Sequence, residues 1–241
     1  MNNDPYLYEG SFVLRNLLNI HIEKDLDVAE AELSQANMML LYEQGFNDFS
    51  TQGIKTIHKV LFEDVYDWAG EFRTINIQKS EPLLAGISVW YSDADNIKKD
   101  LDLAWKAINK TKWRNLSREY FTAQIVRMFP LLWQVHPFRE GNTRTIVMLI
   151  TFFVEYYDYF FDKELLAASA GYVRNAFVMA SLGQYSEFEH LERIMLDAIC
   201  TEPIEYTDDL DQEESVPQGE KYQKYKTDYK PVTHEYRADD E

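Results

Sequence analysis

Within twelve residues, the stretch "WQVHPFREGNTR" (Trp133 to Arg144) gathers His136, Glu140, Gly141, Asn142, Thr143 and Arg144, and the strongly apolar "TIVMLITFFV" follows at once. "EGNT" ahead of an apolar run places Asn142 or Thr143 at a helix N-terminus. Unpaired backbone N–H groups and the positive end of the helix dipole there suit a phosphate. Gly141 lets a backbone approach closely. Arg144 falls in the first turn, where a cation opposes the dipole and calls for an anionic partner. Glu140 would repel a phosphate unless Mg2+ stood between them, and Mg2+ takes one or two carboxylates plus phosphate oxygens. His136, fixed by Pro137, is placed to take a proton from a hydroxyl approaching a polarised phosphate. Plainer readings fit the same letters. A histidine before proline is usually structural, Gly-Asn is a common turn and cap, and Glu140 with Arg144 has the spacing of an i,i+4 surface pair. His136 and Glu140 alone are a weak metal signal.

The elements needed to hold such a site are mostly helical. Leu26, Ala29, Leu33, Ala36 and Leu40 recur at helical spacing over residues 25–44, with Gly45 as a stop. Ser50 or Thr51 caps a second helix that ends near Gly70. Further helices are expected from Asp93 to Asn109, from Ser117 to Val135 with a kink at Pro130, and from Asn142 to about Tyr159. Two more follow, one from Asp162 through Ala176 and one from Ser186 toward Cys200. Between the second and third helices, "EFRTINIQKS" and "GISVWYS" alternate polar and apolar residues around Pro82 and Gly86, which predicts a small hairpin leaning on the helices. The fold expected is mainly α, seven or eight helices around a central buried helix with one inserted β-hairpin. Its body covers 1–203. Residues 204–241, charged, tyrosine-rich and poor in aliphatic side chains, read as an acidic flexible tail.

The 241 residues carry 46% hydrophobic and 15% aromatic side chains, enough for a substantial core, and a net charge of −17. That charge argues against a nucleic-acid partner, whose phosphates are met by Lys and Arg, and against an anionic membrane. Cys200 is the single cysteine, so no intramolecular disulfide or multi-cysteine zinc site is available, in keeping with a reducing cytosol. "MNNDPYLYEG" has no basic region followed by an apolar stretch, so no cleavable signal is expected, and Ile146 to Val154 is too short to span a bilayer.

"HPFREGNTR", His136 to Arg144, resembles the signature of the Fic family, His-Pro-Phe-x-(Asp/Glu)-Gly-Asn-(Gly or similar)-Arg-x-x-Arg. "LFEDVYDWAGEFRT", Leu61 to Thr74, is similar to the segment before that family's hairpin, the flap, and "YEGSFVLRNLLNI", Tyr8 to Ile20, resembles the entry segment of toxin- and effector-like members. The resemblance spans roughly residues 6–200. It implies a bacterial, cytoplasmic protein adenylyltransferase, with secretion into a host cell as the other setting. Such an enzyme moves AMP from ATP to a Ser, Thr or Tyr hydroxyl of a target protein and releases pyrophosphate, with Mg2+. By position, His136 would be the base and Glu140 the metal ligand. Gly141, Asn142 and Thr143 would form the cradle for the α-phosphate, Arg144 would bind the outer phosphates, and Lys79 and Ser80 of the flap would border the nucleotide.

Two departures stand out. Thr143 replaces a second glycine, and its side chain either narrows the cradle or offers a hydroxyl. Val147 stands where the final arginine belongs, the one that grips the γ-phosphate and pairs with the family's inhibitory glutamate. The inhibitory pattern (Ser/Thr)-x-x-x-Glu occurs at Thr201 to Tyr206 and at Thr151 to Tyr156, and both read as chance matches. A small antitoxin-like inhibitor is the partner this would call for. The alternatives to adenylyl transfer are a weak or silent relative that binds nucleotide or protein, and an enzyme that transfers another phosphate-containing group.

Overall fold

A computed structural model describes residues 4–204. The acidic tail expected over 204–241 lies, but for its first residue, outside them. The described residues form eight α-helices: α1 Glu23–Gln44, α2 Thr51–Phe62, α3 Ile97–Ile108, α4 Arg118–Val135, α5 Asn142–Tyr156, α6 Lys163–Ala168, α7 Ala170–Ala180 and α8 Glu189–Ala198. Local chemistry sets most of their ends. Ser50 accepts from Gly53 N–H at the start of α2, Ser117 from Tyr120 N–H at α4, and Asp162 from Leu165 N–H at α6. Gly45, at φ 73°, closes α1. Ser186 does not cap the last helix. Its Oγ takes the Leu182 N–H instead, and α8 begins three residues later without a side-chain cap. The helix expected from Asp162 through Ala176 is broken at Ser169 into α6 and α7, and α4 runs through Pro130 as one helix.

The helix after the motif is the hub. In α5 every residue from Met148 to Val154 is buried, because the helix packs on α2 on one side and α4 on another. α1 lies against α2, and α4 also meets α3, α7 and α8. No described helix is long and apolar enough to cross a membrane.

The expected hairpin is realised differently. Residues 71–92 run out, turn through a short 3-10 segment at Pro82–Leu84, and return, but the two arms form no strand ladder. The sheet lies elsewhere: β1 Phe160–Phe161 pairs antiparallel with β2 Ile199–Cys200, joining the end of the hub helix to the end of α8. The arms find other partners. The Arg73 guanidinium donates to the Ile75 and Ser92 carbonyls at the two feet of the arc, and Asn76 bonds Asp93 and Ala94.

Candidate active site

α4 ends on His136, whose backbone is left-handed (φ 51°, ψ 58°), a conformation that costs a non-glycine residue roughly 1–2 kcal/mol. Its neighbours hold it there. Arg73, fully buried, donates from Nε to the His136 carbonyl at 2.9 Å and from Nη2 to Val135, while its own N–H reaches Pro137 O at 2.9 Å. The His136 ring stacks on Tyr91 (centroids 4.0 Å) and meets Trp133 edge-on. Nδ1 lies 3.4 Å from the Trp133 carbonyl, which places the proton on Nδ1. Nε2 is buried and has no protein partner. Burial, reinforced by the Lys79 ammonium, lowers the pKa well below the ordinary histidine value, so the ring is neutral at pH 7 and Nε2 carries a lone pair.

The loop between His136 and α5 is closed by its own amide groups. Asn142 Oδ1 accepts from Phe138 N–H and Nδ2 donates to Phe138 O, both at 2.9 Å. The Asn142 side chain is therefore committed to the loop, and only its backbone N–H is placed to meet an anion. Gly141, at φ 80°, precedes α5, and a Cβ built there would come within 2.4 Å of the Phe62 ring. The glycine is thus required by Phe62 packing as well as by φ. His58, buried under the loop, accepts Gly70 N–H at Nδ1 (2.8 Å). Its proton therefore sits on Nε2, which donates to Glu140 O (3.1 Å). Its ring stacks on Phe138 at 3.7 Å, and burial lowers its pKa to about 3.

A cavity of about 150 Å³ lies over the start of α5, lined by Lys79, His136, Glu140, Gly141, Asn142, Thr143, Arg144 and Arg174. At about 30 Å³ of liquid per water it has room for about five waters, the size of a short phosphate chain rather than a nucleoside. The first α-helical bond of α5 is Thr145 N to Gly141 O, so the N–H groups of the three residues before it lie ahead of the helical ladder. Thr143 Oγ1 accepts from Trp133 Nε1 at 2.9 Å.

The charges are paired in ways the motif alone does not reveal. Glu140 and Arg144 are not an i,i+4 pair. Arg144 turns to α1, where it bonds Ser34 Oγ at 2.8 Å and Glu30, and it lies over the Phe62 ring at 4.9 Å. Glu30 also accepts from Tyr66. Glu140 Oε1 accepts from Gly141 N–H at 3.0 Å, and Oε2 from Lys79 Nζ at 2.9 Å. Burial alone would raise the Glu140 pKa, but the Lys79 ammonium and the Gly141 N–H outweigh it and hold the carboxyl at about 2. Lys79 thus lines the cavity as expected, whereas Ser80 is exposed and outside it. Successive side chains of an extended chain point to opposite sides, so Lys79 and Ser80 cannot share one.

Among the described residues no three metal-ligating side chains come together, and Glu140 is the one carboxylate among the residues lining the cavity. The Lys79 ammonium on its outer oxygen marks where a cation sits. One carboxylate with phosphate oxygens is a donor set Mg2+ accepts, so the residues fit the metal in company with a nucleotide.

The Fic/DOC family model matches residues 48–154, which include His136 to Arg144 and Lys79. "Probable protein adenylyltransferase y4lH" of Sinorhizobium fredii is 30% identical over 165 residues, 68% of this chain and 81% of that protein. The chain belongs to the Fic family. A second relative, "Protein adenylyltransferase VbhT" of Bartonella schoenbuchensis, is 32% identical over 146 residues, 60% of this chain but 29% of its own length. The fold matches that of BepC from Bartonella tribocorum with bound AMPPNP, at a TM-score of 0.70 and 20% identity over 82% of this chain and 97% of that one. The type IV secretion effector BepA gives 0.67 and 20% over 80% and 68%.

Four residues of the Fic site escaped the sequence reading. Arg73 and His58 position the loop, Glu30 holds Arg144, and Arg174 lines the cavity. Glu30 and Arg174 also lie outside the matched family segment. Of the two sequence matches to an inhibitory pattern, Thr151 bonds Val147 O inside α5, and Thr201 to Tyr206 runs beyond the described residues.

Proposed function

We propose that this chain transfers the AMP moiety of ATP to a hydroxyl of a target protein. The observation that carries the reading is His136 Nε2: neutral, buried and unpartnered, in a cavity at the start of α5. A Ser, Thr or Tyr oxygen attacks the α-phosphorus. Its proton goes to Nε2, the bond from the α-phosphorus to the bridging oxygen breaks, and pyrophosphate leaves with that electron pair. His136 acts as the base, and its Nδ1–H on Trp133 O keeps the right nitrogen free. The backbone N–H groups of Asn142 and Thr143 receive the α-phosphate, the Thr143 hydroxyl has its own proton to donate, and Arg144 meets the outer phosphates after leaving Glu30. Lys79 yields its place on Glu140 when the nucleotide enters. Glu140 would then hold Mg2+ against the phosphates, and the metal would neutralise charge there. Relatives named protein adenylyltransferase support this chemistry.

The test is incubation with ATP and Mg2+ followed by mass spectrometry of the protein and of lysate proteins. One AMP added per acceptor is expected, falling about 10²- to 10⁴-fold in His136→Ala. Equal transfer by both would remove His136 from the chemistry. One observation favours the second reading, a silent nucleotide-binding relative: Arg144 and Glu140 are both already paired inside the chain. ATP binding without any adduct would establish it. An adduct from a different phosphate donor, and none from ATP, would change the donor and keep the mechanism.

A further inference from the structure

We propose that Arg174, on α7, is a phosphate-binding residue of this cavity and supplies the cation that Val147 does not. The inference rests on reading the cavity as a nucleotide site. Val147 sits one turn after Arg144 on α5, half-buried and packed against the core, so that helix offers no second guanidinium. The cations lining the cavity are Lys79, Arg144 and Arg174, from three different elements. Lys79 neutralises Glu140, and Arg144 is drawn away by Glu30.

Arg174 is held differently. Its partner is Glu81 of the arc, a carboxylate with no exposed surface. Nη2 donates to Oε1 at 2.8 Å, and Nη1 stands 2.8 Å from Oε2 as an ion pair without good hydrogen-bond alignment. Tyr91 OH adds a long contact of 3.4 Å. A buried carboxylate needs a cation beside it, so Glu81 fixes the plane of the guanidinium. A guanidinium has five N–H donors, and two at most face Glu81. With 38% of its side chain exposed, Arg174 has donors left to turn toward the cavity. The backbone beneath is rigid as well: Phe177, one turn on, stacks on Trp133, whose indole holds Thr143. An arginine needed only to neutralise Glu81 has no reason to line the same small cavity as the base and the helix start. One oriented by Glu81 with spare donors is a preformed clamp for an outer phosphate.

The test compares ATP, ADP and AMP affinities by calorimetry in the wild type, in Glu81→Gln, and in the double variant Glu81→Gln/Arg174→Gln, whose paired amides avoid a buried unpaired carboxylate. ATP affinity should fall about 10- to 100-fold in the double variant, the range for losing a hydrogen-bonded charge. AMP affinity should hardly change, and Glu81→Gln alone should keep most of the ATP affinity. Wild-type ATP affinity in the double variant, an equal loss for AMP, or an equal loss in Glu81→Gln alone would each overturn the proposal. Wild-type protein that binds none of the three nucleotides would instead overturn the reading beneath it, and this inference with it. Should the double variant not fold, Arg174→Lys keeps a cation on Glu81 but loses the fork. Its ratio of ATP to AMP affinity should drop, and an unchanged ratio overturns the proposal.

Discussion

The loop from His136 to Gly141 and the arc from Asn76 to Trp90 face each other across the cavity and are built in opposite ways. Six residues of loop receive Arg73 at one end, Asn142 in the middle and His58 at the other, with Phe62 packed beneath Gly141. The arc, more than twice as long, is tied at its feet by Arg73 and Asn76. Across its middle run the Lys79 N–H to Ser88 Oγ bond, Lys79 on Glu140, and Arg174 on Glu81, while Ile87 and Trp90 stand in solvent. The histidine proposed as the base is held by Arg73 on its carbonyl and by Tyr91 and Trp133 on its ring. The segment that would meet a nucleotide and a target is anchored in the core by Val89 and otherwise held by a few polar contacts, which a ligand can exchange for its own.

Removing Arg73 should break the contrast most severely. Arg73→Met leaves carbonyls from both the loop and the arc without their donor, and should cost about 3–5 kcal/mol, read as a lower denaturant midpoint. A loss under about 1 kcal/mol would mean that the arc's feet are held by something else. Gly141→Ala comes next, at about 2–4 kcal/mol, from a left-handed backbone plus collision with Phe62. The matching change in the arc, Gly86→Ala, has φ +88° and only Ser80 Oγ at 3.5 Å, so about 1 kcal/mol is expected. Equal costs at the two glycines would erase the difference between the regions.

Acid should act on the loop. Burial depresses the His58 pKa in the folded protein, to about 3 against 6.5 when unfolded. Between those values the unfolded chain binds the extra proton, so stability rises with pH and is lost as pH falls below about 6.5. From pH 7 to 5 one such histidine accounts for about 2 kcal/mol, and His136 adds in the same direction. Glu140, held down at about 2, adds its own loss only on approach to that value from the ordinary 4.5, below this window. Unfolding of the wild type and of His58→Asn at the two pH values tests it: the variant should lose less stability, and equal losses would remove His58 as a source. The smallest effect expected is in Glu30→Gln, which keeps an acceptor for Tyr66 but frees Arg144. ATP affinity should rise by up to ~5-fold, the scale of a partly exposed ion pair. A fall in calorimetry would show that Glu30 positions Arg144 rather than competing for it.

What could be read from the sequence followed the range of the interaction. Ser50, Ser117 and Asp162 bond N–H groups three residues away, and their helix starts were legible. Ser186 looked the same but serves Leu182, four residues back. The hub helix, read to about Tyr159, stops at Tyr156 where the chain turns toward β1. The arms of the arc alternate like strands, yet they are joined through side chains, Lys79 N–H to Ser88 Oγ and Arg73 to both feet, rather than by a backbone ladder, which alternation cannot reveal. Within the motif, residue types gave the helix start and a neutral histidine beside it. The pairing of its charges depends on Lys79 and Glu30, 61 and 114 residues distant from their partners along the chain.

The bond from Trp133 to Thr143 gives the molecule an optical voice. The indole N–H donates to the hydroxyl of Thr143, whose backbone N–H is proposed to meet the α-phosphate, so an anion bound there would change the field around the indole. Trp133 has no exposed surface while Trp90 is 88% exposed, so iodide quenches Trp90 and leaves Trp133 among the buried indoles Trp68, Trp105 and Trp113, from which a Trp133→Phe variant separates it. The site thereby carries its own fluorophore, one hydroxyl away from the chemistry.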